Sequence, residues 1–155
     1  MNTRRRVLSH SARVAAALAA AGWLPVSNAQ SNTAWNKAAF DAKSVAELMK
    51  TLGVPAPVES KQVTLGAPDI AENGAVVPLT VATTVPGARR LLILVEKNPN
   101  TLAASFELGE SIEANFGTRV KMNTSSDVYA VAITADGRAL FARKDVKVTL
   151  GGCGV

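Results

Sequence analysis

The chain has 155 residues, with 17 Lys and Arg against 12 Asp and Glu, one histidine, one cysteine and a formal net charge of +5. The basic excess sits at the start: residues 1–29 hold Arg4, Arg5, Arg6, Arg13 and His10, so without them 13 basic residues face 12 acidic ones and the net charge falls to +1. Such a chain lacks the clustered cations that nucleic-acid or anionic-membrane binding needs, and one thiol without imidazole builds no Ser-His-Asp triad, no Cys-His pair and no zinc, copper or iron cluster.

The chain opens M-N-T-R-R-R-V-L-S, passes an Ala/Leu-rich stretch at 14–24 and reaches P-V-S-N-A-Q-S. Positive charges, a short apolar core and small residues at Ser27 and Ala29 predict a secretory signal over 1–29, cleaved after Ala29. The apolar core is about ten residues, short of the ~20 that span a bilayer, so no retained transmembrane helix is expected. Arg4 and Arg5, with Arg6, Val7 and Leu8 behind them, fit a twin-arginine export address better than the general secretory route. The remaining 126 residues, 30–155, suit one domain with its own core and are too few for two.

Next comes a helical pattern. Trp35, Ala38, Ala39, Ala42, Val45, Ala46, Met49 and Leu52 recur at intervals of three and four and predict one amphipathic helix. Thr33 suits its N-cap and Gly53 its C′ position, with Pro55 just beyond and Lys50 in the last turn, where the helix dipole favours a cation. The stripe, with Trp35 and Phe40, reads as core rather than as a ligand site.

From Lys61 onward the period changes to two. Runs at 62–65, 75–85, 90–95, 102–108, 118–123, 127–134, 138–143 and 147–150 are short and rich in Val, Ile and Thr. Within V-Y-A-V-A-I-T, Val128, Ala130, Ala132 and Thr134 share one face and Tyr129, Val131 and Ile133 the other. Turn chemistry separates the runs at Glu72-Asn73-Gly74, Pro86-Gly87, Asn98-Pro99-Asn100, Gly117, Ser125-Ser126 and Asp136-Gly137, the last being the strongest hairpin signal. The expected fold class is mainly β: an immunoglobulin-like antiparallel β-sandwich with an N-terminal helix, occupying 30–150, and a flexible C-terminal tail. No D-x-D-x-D-G run suggests a site for a hard cation, and no cofactor is expected.

That tail is Gly151-Gly152-Cys153-Gly154-Val155. Gly151, Gly152 and Gly154 lack Cβ and roam φ/ψ space, so 151–155 is expected to be a mobile arm. Five extended residues reach about 16–18 Å, at ~3.3–3.6 Å each. An unpaired cysteine in an exported protein points to an intermolecular bond or a free reactive thiol. Prenylation needs three residues after the cysteine and here Gly154 and Val155 alone follow. No basic residue stands closer in sequence than Lys147 to draw out a thiolate, and the terminal carboxylate disfavours one. An accessible, unassisted thiol suits being acted upon by others, so Cys153 reads as a covalent attachment point and the chain as a carrier, with no catalytic residues of its own. The alternative is a structural interaction module whose Cys153 forms an inter-subunit disulfide. A weaker third reading, an enzyme using the Glu107 and Glu110 carboxylates, competes with a solvated strand end.

Across essentially its whole length the chain resembles the SoxY family, the sulfur-carrier subunits of the periplasmic Sox thiosulfate-oxidation system. The resemblance lies in the twin-arginine leader, A-W-N-K-A-A-F at 34–40, P-D-I-A-E-N-G-A-V-V-P at 68–78 and the terminal V-T-L-G-G-C-G. It implies that Cys153 carries sulfur intermediates and that the chain pairs with a SoxZ-like subunit, crossing the membrane folded with it. It further implies that a haem-containing SoxAX-like enzyme loads thiosulfate, that a SoxB-like hydrolase releases sulfate, and that a sulfane dehydrogenase acts where one is present. Val155 replaces the last glycine of the family's G-G-C-G-G signature, adding a β-branched side chain beside the terminal carboxylate. Gly154 still separates it from the thiol, so carriage is expected to survive, and what Val155 alters is fit in narrow active-site channels. Glu72-Asn73-Gly74 has two readings: a structural turn into an apolar strand, which is favoured, and, as the alternative, a neighbourhood that helps form the heterodimer surface, for which the sequence singles out no interface residues.

Overall fold

The computed structural model describes residues 36–109 and 111–149. Two short helices lead, α1 (Lys37–Asp41) and α2 (Val45–Leu52), where sequence periodicity implies one. The interruption falls at Ala42, which is extended with ψ 134°. Its cause is local: the Ser44 hydroxyl accepts the Glu47 N–H at 3.2 Å, and the Glu47 carboxylate accepts the Lys43 N–H at 2.8 Å. This S-x-x-E arrangement, a capping box displaced by one residue, starts a new helix instead of prolonging the old one. The freed Ala42 carbonyl accepts the Thr101 N–H at 3.0 Å and ties the helices to the sheet. The expected end holds: Gly53 is left-handed (φ 68°), and the Gly53 and Val54 N–H groups donate to Lys50 and Met49 carbonyls at 3.1 and 3.0 Å, a Schellman closure. Thr33 and Trp35 lie outside the described residues.

The strands are β1 (Val58–Glu59), β2 (Val63–Gly66), β3 (Ile70–Ala71), β4 (Val77–Thr83), β5 (Ala88–Val95), β6 (Leu102–Glu107), β7 (Asn115–Val120), β8 (Ser126–Thr134) and β9 (Ala139–Val148). One sheet runs β1-β9-β8-β5-β6, with β3 also on β9, and the second runs β2-β4-β7. The protein is thus mainly β, with two sheets face to face and helices on the outer side of the larger one. Leu91, Ile93 and Val95 of β5 meet Val77, Leu79 and Val81 of β4 in the core between the sheets, together with Val128, Ala130 and Ala132 of β8. Leu92 and Leu94 point the other way, onto Leu48 and Met49 of α2, beside Val131 and Ile133. Burial on both faces is why β5 reads as an unbroken L-L-I-L-V run.

The β8–β9 hairpin turns at Asp136-Gly137 as expected, with Gly137 at φ 83° and the Thr134 N–H on the Arg138 carbonyl at 3.0 Å. The Thr134 hydroxyl donates to Asp136, whose other oxygen takes the Arg138 guanidinium at 2.7 Å, and the two together hold the Asp136 carboxyl below its ordinary range.

The runs expected as separate strands at 138–143 and 147–150 are one strand, β9, because β8 pairs with it without a break from Ala139 to Val146. Two further local expectations are corrected. Gly117 is not a turn: β7 runs through it, and it sits opposite Thr80 in the β4–β7 ladder. A ladder from Val77 to Ala82 outweighs one residue's weak strand preference. Second, β1 and β3, two residues each, pair parallel to β9 at Leu140–Phe141 and at Lys147–Val148. Between them the chain crosses to the second sheet as β2 and returns, stitching the sheets together along one edge.

Candidate functional site: the root of the C-terminal segment

Cys153, Gly151, Gly152 and Gly154 lie outside the described residues, as do residues 1–29 and Glu110. Glu107, the described member of the Glu107–Glu110 pair, ends β6 and takes the Arg90 guanidinium at 2.6 Å. The segment leading to the thiol is described as far as Thr149, four residues before Cys153. Four extended residues span about 13–14 Å, so the position of Thr149 bounds where the sulfur can go.

β9 outruns its antiparallel partner. The last β8–β9 pair is Ser126 with Val146, yet Lys147, Val148 and Thr149 remain held. Successive strand N–H groups point to opposite edges, and each edge here has a different partner. On the outer edge, Lys147 N–H donates to the Asp69 carbonyl at 3.0 Å and Thr149 N–H to the Ala71 carbonyl at 3.1 Å. On the inner edge β8 has stopped, and the Ser125 hydroxyl takes its place, accepting the Val148 N–H at 2.9 Å and facing the Val148 carbonyl at 3.5 Å. Lys144 braces the crossover before β3, its ammonium donating to the Ala67 carbonyl at 2.6 Å and pairing with Asp69 at 3.0 Å.

The A-E-N-G-A stretch packs against this root. Its turn is as read: the Asn73 side chain accepts the Ala75 N–H at 2.9 Å and its carbonyl accepts the Val76 N–H at 3.2 Å. Gly74 is there for closeness, since a Cβ would lie 2.6 Å from the Met122 carbonyl oxygen and 2.8 Å from Val148 Cγ1. The Gly74 carbonyl accepts the Met122 N–H at 2.7 Å, completing the wedge. Sequence reasoning found the turn and missed its neighbour, because nothing local in Ser125 or Ile70-Ala71 announces a bond to residues 147–149.

Elsewhere, a cavity of about 520 Å³ lined by Thr83, Arg89, Leu108 and Ile112 opens at the opposite end of the strands. Among the described residues no cluster of three or more His, Cys, Asp or Glu could hold a metal, and no helix is long and apolar enough to cross a membrane.

Comparison with known proteins bears on this site directly. The family model of the sulfur oxidation protein SoxY matches residues 48–153, a span that ends on Cys153. The chain belongs to the SoxY family. Among solved structures it is similar to the sulfur carrier protein SoxY from Chlorobium limicola f thiosulfatophilum, at 33% identity and a TM-score of 0.59, covering 68% of this chain and 94% of that one. A superoxide reductase (neelaredoxin) from Ignicoccus hospitalis aligns at 17% identity with a TM-score of 0.50, covering 57% of this chain and 80% of that one, a likeness of fold alone. No curated protein sequence matches the chain. Family membership assigns the β-sandwich with its SoxY-type fold and places the chain in sulfur oxidation.

Proposed function

We propose that the chain is a periplasmic covalent sulfur carrier of thiosulfate oxidation, acted on by other enzymes and not itself a catalyst. The observation that carries this reading is the SoxY match reaching to Cys153, the sole thiol in the sequence. Residues 1–29 serve as a twin-arginine signal, residues 30–150 as the carrier domain and residues 151–155 as a mobile arm, in which Gly151, Gly152 and Gly154 leave the backbone free. The anchored root at Thr149 supports that division, because a swinging thiol needs a fixed origin.

The chemistry follows from a thiol that is carried rather than activated in place. Loading joins the Cys153 sulfur to the outer sulfur of thiosulfate, releasing one proton and passing two electrons to a SoxAX-like haem enzyme. Water then cleaves the resulting thiosulfonate at a SoxB-like hydrolase, so that sulfate departs and a persulfide stays on Cys153. Where a sulfane dehydrogenase is present, it oxidises the outer sulfur to a sulfonate group, with water supplying the oxygens and the electrons passing to that enzyme, and a second hydrolysis releases this group as sulfate and frees the thiol. A SoxZ-like subunit completes the heterodimer.

Mass spectrometry of protein from thiosulfate-grown cells tests this. Cys153 is expected to carry sulfane and thiosulfonate adducts that vanish on reduction, and Cys153→Ser to keep fold and heterodimer while abolishing sulfur oxidation. A Cys153 that stays unmodified through turnover overturns the proposal. A constitutive disulfide whose loss in Cys153→Ser dissolves the assembly would establish the structural reading instead.

A further inference from the structure

We infer that Ser125 and the Ala71–Gly74 segment form a clamp that sets where the carrier arm begins, and hence how far Cys153 travels. Ser125 and Ala71 are positioning residues in this scheme, acting through the backbone of residues 147–149. The inference rests on the carrier reading of Cys153 and adds what determines its reach.

β9 could end with its partner strand at Val146, and the three residues beyond would then be ordinary loose terminus. Instead, consecutive residues are held from alternate sides: Lys147 by Asp69, Val148 by Ser125 and Thr149 by Ala71. Serine suits its place because one hydroxyl combines a donor with acceptor lone pairs, and here it lies within bonding distance of both the N–H and the carbonyl of Val148. The outer half of the clamp is itself fixed. Ala71 is buried, Lys144 pins the crossover before it, and Gly74 lets the turn after it close onto Val148.

The consequence is one of length. With the clamp closed, four residues separate Cys153 from its anchor at Thr149, a reach of about 13–14 Å. With the clamp open, the anchor retreats to Val146 and seven residues give about 23–25 Å. A shorter tether confines the thiol to a smaller volume and raises its effective concentration at an enzyme docked over the root. Too long an arm dilutes it there.

Because Cys153 is the sole cysteine, a nitroxide attached to it in the full-length mature chain, with its partner subunit bound, reports arm motion directly. Ser125→Ala is expected to raise label mobility and to speed amide exchange at Val148 by on the order of five- to tenfold, the loss of one hydrogen bond. Ser125→Thr, which keeps the hydroxyl, is expected to restore both. Thr149→Pro removes the amide that Ala71 holds, at an exposed strand end, and provides the same mobility and exchange readouts should Ser125→Ala fold poorly. Unchanged mobility and exchange in both variants would overturn the clamp, and failure of Ser125→Thr to restore them would overturn the assignment to the hydroxyl. Neither readout involves sulfur chemistry. A failed clamp therefore leaves the carrier reading intact, and an unloaded Cys153 leaves the clamp intact.

Discussion

Gly74 and Gly117 are both glycines outside the left-handed region, and they have opposite surroundings. A Cβ on Gly74 meets the Met122 backbone and the Val148 side chain below 3.0 Å, whereas a Cβ on Gly117 meets nothing within 4 Å. Gly74→Ala is therefore expected to destabilise by about 1–3 kcal/mol, since backbone cannot step aside. Gly117→Ala is expected to be neutral or to stabilise by about 0.5–1 kcal/mol, through a less flexible unfolded chain and a better strand former. Urea denaturation midpoints of the two variants check the contrast. From sequence, both glycines read as turn signals. The difference between them lies in which backbone passes close by, and that is a property of the fold.

At the scale of elements, what was legible is what leaves a local pattern. Six of the eight strand-like runs, the Asp136-Gly137 hairpin and the Gly53 helix end each announce themselves within a few residues. The last two runs, 138–143 and 147–150, are one strand whose continuity the polar Lys144 and Asp145 between them hid. The break between α1 and α2 was equally present as S-x-x-E, but the apolar stripe running through it masked the signal. Ser44→Ala is accordingly expected to cost about 1 kcal/mol, the ordinary worth of an N-cap, seen as a lowered denaturation midpoint with the sandwich strands still protected in amide exchange. β1 and β3 left no pattern at all. Two residues cannot display a period, and the Thr149–Ala71 contact joins positions 78 apart. Half of the candidate site was invisible for this reason: the glycine tract around Cys153 is plain in the sequence, while the hydrogen bonds that hold residues 147–149 join distant segments.

Across the whole molecule, β5 belongs to two cores at once, facing β4 and β8 through Leu91 and Ile93 and the helices through Leu92 and Leu94. A strand shared in this way couples the helix layer to the sandwich. Leu91→Ala and Leu92→Ala, on opposite faces, are each expected to cost about 2–5 kcal/mol and to shift one common unfolding transition instead of splitting it. Separate helix and strand transitions, followed by circular dichroism and by near-ultraviolet signals, would contradict that coupling.

The amino-acid sequence by itself determined the β class, the lone thiol in its glycine tract and the near-neutral charge of residues 30–155, because composition and short periodicities are local properties. The tertiary structure alone decided which strands meet, which glycine is crowded and where the last strand is made fast. Those depend on contacts between segments far apart in the chain, and the hydrogen bonds that hold Val148 and Thr149 exist once folding has brought Ser125 and Ala71 beside them.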